Sequence, residues 1–423
     1  MIRLYNGYVM PMAADCSIVP GEVWTDGDVI ALAGDAEGRE RPEFEREIDL
    51  RGGLVIPGFK NAHTHSAMTF LRSYADDLPL QSWLFDKVFP LEAKLTPEAV
   101  YAFTRLAVLE YLAGGITASF DMYFHRDAYA SANIDMGFRS VICGALSAGD
   151  PLNTAADDYA KFNKLHPLIG YRLGAHAEYT ADEGLLRGIS ELAHELKAPF
   201  WAHNSETKNE TDGCFERHGM SPTAYFESLG LFDYGGGGFH CVWFDDKDID
   251  IFARRGLWAV TCPASNAKLA SGIAPLSRFA ARGVKLAVGT DGPSSNNALD
   301  MFREMYLACV LQKLALSDAA ACPAENILLA ASSGGARAMG LPDCDSLVPG
   351  KQADLAVIDL DEPGMRPLHA AAKNLVYAGT RSCVRLTMIA GRVLYEDGEY
   401  FVGDDPGRII AEAERYTREI CGQ

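Results

Sequence analysis

The strongest constraint on the fold of this chain is a rhythm. From about Gly58 to Gly350, short apolar runs that end in polar residues alternate with longer stretches patterned as helices. Parallel strands need a crossover between them, so this alternation predicts a parallel sheet with helices outside it. Eight runs read as strands: Phe59–His65, Thr117–Met122, Ser140–Ala145, Gly170–Ala177, Pro199–Ser205, Gly237–Val242, Trp258–Pro263 and Lys285–Asp291. The intervening segments carry helix punctuation. In LTPEAVYAFTRLAVLEYLAGG, Thr96 is an N-cap, Pro97 opens the helix, Glu98 lies in the first turn and glycines follow the end. Eight such repeats predict an α/β protein built on a (β/α)₈ TIM barrel over residues 58–350.

The two ends of the chain read differently. MIRLYNGYVM, GEVWTDGDVIALAG and GGLVIPG at the start, and ADLAVIDLD and CVRLTMIAGRVLYEDGEYF after Gly350, are short strands joined by turns. A charged helical stretch at about Pro406–Cys421 closes the chain. The expectation is one small composite β-sandwich domain formed by residues 1–57 and 351–423, with the barrel inserted between them. The glycine run Gly235–Gly238 lacks the spacing of a phosphate loop and reads as a turn before the sixth strand.

Charge narrows the function. The net charge is −19 and no run is rich in Lys or Arg, which argues against a nucleic-acid or anionic-membrane surface and for small-molecule chemistry. Ten cysteines without a Cys-x-x-Cys fit reduced thiols. With no apolar stretch approaching the roughly 18 to 20 residues of a membrane span, a cytoplasmic protein is expected.

In a barrel of this kind the active site lies at the C-terminal ends of the strands, where residues distant in sequence converge. His63 and His65 share one face of the first strand, His203 ends the fifth, His240 the sixth and Asp291 the eighth. Together they form a candidate metal site. Glu206, three residues past His203, is placed to shuttle protons, and His176 at the end of strand four is placed to line the pocket mouth. His166, His194 and His218 lack a partner pattern and are expected at the surface.

These residues, with VIPGFKNAHTHSAMT, DDLPLQSWLFDKVFPLEAKLT, GGITASFDMYFH, FHCVW, PASNAKLASGIAPL, VGTDGPSSNNALDMFREM and PGKQADLAVIDLD, make the chain resemble the amidohydrolase superfamily. It is most similar to the methylthioadenosine/S-adenosylhomocysteine deaminase branch, which is related to triazine hydrolases. The resemblance implies one divalent metal per subunit, zinc, held by His63, His65, His203 and Asp291. It also implies a homo-oligomer acting on a small nucleoside. Glu206, His240 and Asp291 would be catalytic: Glu206 protonating the ring, His240 orienting the attacking water, Asp291 relaying its proton. Ser295 and Trp83 would meet the purine, and Glu92 and His176 the ribose hydroxyls.

One departure bears on the substrate. Relatives that use S-adenosylhomocysteine carry arginines in strand three and in the loop after it, whereas this chain has Cys143 and the loop SAGDPLNTAADDY, with Asp150, Asp157 and Asp158. An unpaired carboxylate is costly to bury, so uncharged 5′ groups are favoured, unless Arg126 or Arg139 supplies the cation. Thr261 also stands where relatives have a histidine outside the ligand set. The expected reaction is removal of the 6-amino group of adenosine, 5′-deoxyadenosine or methylthioadenosine. The alternatives are attack on a free heterocycle such as guanine, a pterin or a triazine, and a metal-free scaffold protein.

Overall fold

The computed structural model describes residues 1–78 and 82–422, so residues 79–81 of the DDLPLQSW motif lie outside the described residues. The first strands are β1 (Ile2–Val9), β2 (Val19–Asp26), β3 (Val29–Gly34), β4 (Arg46–Asp49) and β5 (Leu54–Pro57). The next eight, β6 (Phe59–Thr64), β7 (Ile116–Asp121), β8 (Arg139–Cys143), β9 (Ile169–Ala177), β10 (Phe200–Asn204), β11 (Gly236–His240), β12 (Trp258–Thr261) and β13 (Lys285–Val288), form a parallel sheet in sequential order. This is the expected barrel, with strand ends within two residues of the sequence-based bounds except at β13, which stops at Val288, three residues before Asp291.

Closure between β13 and β6 is made by the backbone beyond β13. The N–H groups of Thr290 and Asp291 both donate to the His63 carbonyl, at 3.1 and 3.0 Å. Gly289 is required here, because a Cβ would stand 2.5 Å from the His63 nitrogen. The barrel interior is filled by Ala62, Phe120, Val141, Trp201, Phe239, Val260 and Ala287. Trp201 and Phe239 stack at 5.5 Å, giving the site above an apolar floor.

Both chain ends meet in one nine-stranded sheet. With β14 (Leu355–Ile358), β15 (Val384–Ile389), β16 (Arg392–Glu396) and β17 (Glu399–Tyr400), the order is β17-β16-β15-β14-β5-β1-β2-β3, and β4 pairs with β1. The inward residues alternate along the strands, as in Leu355 and Val357 or Leu386 and Met388, and bury a core of their own. This sheet is tied to the N-terminal end of the barrel. Arg139 on β8 donates to Asp354 at 2.6 Å, and Thr387 on β15 donates to the Leu112 carbonyl at 2.6 Å.

Candidate active site

The metal-ligand candidates all lie at the opposite, C-terminal end of the barrel. His63 on β6 and His65 just past it point inward, joined by His203 from β10, His240 from β11 and Asp291 after β13. The donor atoms of His63, His65 and His203 lie within 4.8 Å of one another, as do those of His63, His240 and Asp291. Asp291 Oδ1 is 3.2 Å from His65 Nε2 and 3.7 Å from His63 Nε2. Ser205, His240 and Asp291 adopt left-handed backbone, with φ of 53°, 70° and 62°. For residues with side chains this costs of order 1–3 kcal/mol, and it re-aims the chain where strand meets loop.

Three imidazoles are fixed through the nitrogen that faces away from the cluster. His65 Nδ1 bonds the Met122 carbonyl at 2.6 Å, His203 Nδ1 the His176 carbonyl at 2.7 Å, and His240 Nδ1 the Asn266 side-chain oxygen at 2.8 Å. Each ring then donates from Nδ1 and turns Nε2 towards the cluster, where a lone pair can serve a metal once that nitrogen is deprotonated. Both nitrogens of His63 are buried without a hydrogen-bond partner, while its ring stacks on Phe239 at 3.9 Å. A cation would satisfy this otherwise costly orphan. Imidazoles with one carboxylate suit a divalent ion.

Charge is unevenly divided within the cluster, and a bound cation would displace the proton that His65 holds against Asp291. Burial drives His63 and His203 well below the ordinary histidine range, leaving them neutral as ligands must be. Burial opposes charge on His65, but hydrogen bonding and attraction to Asp291 outweigh it and raise that pKa to about 9. Burial likewise opposes ionisation of Asp291, yet the His65 hydrogen bond and the neighbouring histidines hold it well below the carboxylate range. Ser265 and Ser295 donate to Asp291 Oδ2 at 2.6 and 2.8 Å.

Glu206 faces this centre from the loop after β10, with Oε2 3.9 Å from His240 Nε2 and Oε1 accepting from Ser271 at 3.3 Å. Burial raises its pKa, against the pull of His240. Glu210 clamps the loop by accepting the N–H groups of Ser205 and Glu206, each at 2.8 Å.

One cavity of about 140 Å³ brings His65, Trp83, Glu92, His176, His203, Glu206, His240, Asp291 and Ser295 to a common surface, with His63 buried beneath it. Trp83 opens a single π-helical turn, Trp83–Val88, and Glu92 ends the short helix Phe89–Glu92. Tyr123, which the sequence reading did not single out, donates to Glu92 at 2.8 Å. Burial lifts Glu92 to about 7, opposed by this hydrogen bond and by His65. Burial pushes His176 down to about 4. The Ser295 proton is directed at Asp291, so the hydroxyl offers a ligand only a lone pair.

Other expectations resolve plainly. Cys143 is buried in the barrel interior, and Arg139 is at the wrong end to reach the cavity. His194 pairs at the surface with Asp233 at 2.9 Å. His218 differs from the expected lone surface residue: it stacks on Tyr225 at 3.8 Å and lies 3.1 Å from buried Glu178, because the helix Lys208–His218 packs its end onto the loop after β9. Tyr123 lies within GGITASFDMYFH, and Ser265 and Asn266 within PASNAKLASGIAPL, but none of them nor Glu210 was given a role from the sequence. Their signal is only that they follow strands or functional residues at short spacing.

Comparison with known proteins agrees with this geometry. The model of a family described as the amidohydrolase family matches residues 54–394. A 5-methylthioadenosine/S-adenosylhomocysteine deaminase from Natronomonas pharaonis is 40% identical over 406 residues, covering 94% of this chain and 92% of the relative. A 5′-deoxyadenosine deaminase from Methanothermobacter thermautotrophicus is 38% identical over 383 residues, 89% of each chain. The crystal structure of an adenosine deaminase from Xanthomonas campestris with bound zinc superposes with a TM-score of 0.94 at 33% identity, covering 100% of this chain and 99% of that one.

Proposed function

The chain belongs to the amidohydrolase family, and from that premise we propose that it is a metal-dependent deaminase, a hydrolase that releases ammonia from C6 of an adenine nucleoside. The observation that carries this reading is the single cavity with His65, His203 and Asp291 at one end and Glu92 at the other. A carboxylate beside an aromatic wall suits ribose hydroxyls next to a flat base, which favours a nucleoside over a bare ring.

His63, His65, His203 and Asp291 would hold a divalent ion, zinc in this reading. When bound, the ion supplies Lewis acidity and lowers the pKa of coordinated water. Glu206, whose pKa burial raises, gives a proton to the ring nitrogen adjacent to C6 as water adds there, so negative charge does not build on the ring. Asp291 takes a proton from the attacking water and passes it to the departing amine. His240, its ring set by Asn266, orients the water and stabilises the oxygen of the tetrahedral adduct. Trp83 walls the base, Ser295 offers its lone pair to it, and Glu92 with His176 accepts from the ribose. The products are ammonia and the inosine analogue.

The same reading has the enzyme working as a cytoplasmic homo-oligomer, which light scattering of purified protein would test. The experiment for the activity is ammonia release by metal-loaded protein, screened against adenosine, 5′-deoxyadenosine, methylthioadenosine, guanine, pterins and triazines. Turnover of nucleosides is expected. Turnover of only the free heterocycles would overturn the assignment, and a purified protein without stoichiometric metal would leave the scaffold alternative.

A further inference from the structure

Beside the active-site cavity lies a second chamber of about 640 Å³. The two share Phe89, Glu92, Phe124 and Ala145, so the proposed ribose-binding carboxylate is part of the wall between them. A nucleoside with its base at the metal end and its hydroxyls on Glu92 has one group left to place, the 5′ substituent. The chamber beyond Glu92 is where that group can go.

The chamber's lining combines apolar Leu95 and Leu146 with charged Arg126 and Asp150. Arg126, at the start of the helix Arg126–Met136, donates from Nη1 to Asp158 Oδ2 at 2.9 Å. Both side chains are largely withdrawn from water, at 18% and 15% exposure. Arg126 Nε is buried without a partner, so the guanidinium has unused donors. The Asp150 carboxylate accepts from the Ser147 N–H at 2.9 Å. The guanidinium is thus held by Asp158, and Asp150 adds a second carboxylate to the lining of the same chamber. A guanidinium binds a carboxylate best as a bidentate pair, and one already neutralised by an aspartate has little left to repay the desolvation of a second anion.

We propose that the Arg126–Asp158 pair sets the specificity for the 5′ end of the substrate: it admits uncharged substituents, disfavours those bearing a carboxylate, and becomes a carboxylate receptor when Asp158 loses its charge. This rests on the nucleoside reading above. Asp158 sits on the helix Asn153–Leu165, apart from every group that touches the base or the metal ligands, so its substitution leaves the chemistry in place.

The test compares kcat/KM for methylthioadenosine and S-adenosylhomocysteine in the metal-loaded full-length protein. Wild type should prefer methylthioadenosine. Asp158→Asn should raise the S-adenosylhomocysteine to methylthioadenosine ratio by about tenfold or more, and the double variant with Arg126→Ala should lose that gain. Arg126→Ala alone should lower the ratio below wild type, since it takes the cation from a chamber that keeps the Asp150 carboxylate in its lining; this arm stands even if Asp158→Asn fails to fold. Methylthioadenosine turnover with an unmoved ratio in Asp158→Asn, a gain that survives loss of Arg126, or a higher ratio in Arg126→Ala would each overturn this inference alone. Turnover of neither nucleoside would overturn the reading beneath it.

Discussion

The two ends of the active-site cavity are built by different means. At the metal end, His65, His203 and His240 come from strand ends, and each is tied behind by a short hydrogen bond to Met122, His176 or Asn266. At the end proposed for substrate recognition, Trp83 and Glu92 come from one π-helical turn and a four-residue helix, and Glu92 has Tyr123 as its protein partner. Strands braced by a packed floor hold reacting groups to within fractions of an ångström, whereas loops can be exchanged without disturbing the barrel. Chemistry should therefore be intolerant of change, and substrate choice tolerant. The most damaging test of that contrast is Glu206→Gln, which should retain the metal and the fold but lower kcat by about 10³-fold or more. Retained turnover would remove Glu206 from the mechanism.

Next in size is Asn266→Ala. Asn266 does not line the cavity, yet it fixes the tautomer of His240. Loss of such a bracing residue typically costs about 10- to 100-fold in activity. The fall should appear in kcat with KM nearly unchanged, and metal content should stay stoichiometric. A change confined to KM would mean that His240 serves binding rather than reaction.

The same contrast explains what could be read from the sequence. The convergence of the proposed metal end was legible because strand periodicity and barrel topology say which residues lie at strand ends: His63, His203 and His240 lie at the ends of β6, β10 and β11, and His65 and Asp291 follow β6 and β13 within three residues. The floor was legible only as apolar strand positions, with no hint that Phe239 would stack beneath His63. Glu92 and Trp83 entered through family resemblance, since a glutamate before LTPEA is equally a helix-start residue. Tyr123, Asn266 and Ser265 were missed because a hydrogen-bond partner is chosen by three-dimensional approach, which leaves no spacing rule. Arg139 illustrates the converse: it starts β8, so the strand carries it to the far end of the barrel and into Asp354.

At the recognition end the expected effects are smaller and fall on binding. Glu92→Ala should lower kcat/KM for nucleosides by about 100-fold, mostly through KM, while leaving any activity on adenine itself little changed. Tyr123→Phe removes one hydrogen bond to that carboxylate and should cost about three- to tenfold in the same parameter. Equal losses on adenine and adenosine would show that Glu92 holds the fold or the base.

The smallest effect is also the most diagnostic, because it separates function from stability at one residue. Burial raises Glu92 to about 7, and the Tyr123 hydrogen bond works against that rise. Ribose hydroxyls donate best to the ionised carboxylate, so KM for adenosine should fall severalfold between about pH 6 and pH 8. Tyr123→Phe should move that inflection to higher pH, and Glu92→Gln should abolish it. Stability runs the other way: the folded state holds the proton more tightly than the unfolded chain, so the favourable contribution present below about pH 4.5 is lost as pH rises through 7. Glu92→Gln should then show a Tm above wild type at pH 8, an advantage that shrinks as the pH falls toward 5. A lower Tm at pH 8 would place Glu92 among the braced residues of the metal end, and the division between the two ends would fail at the residue that should show it best.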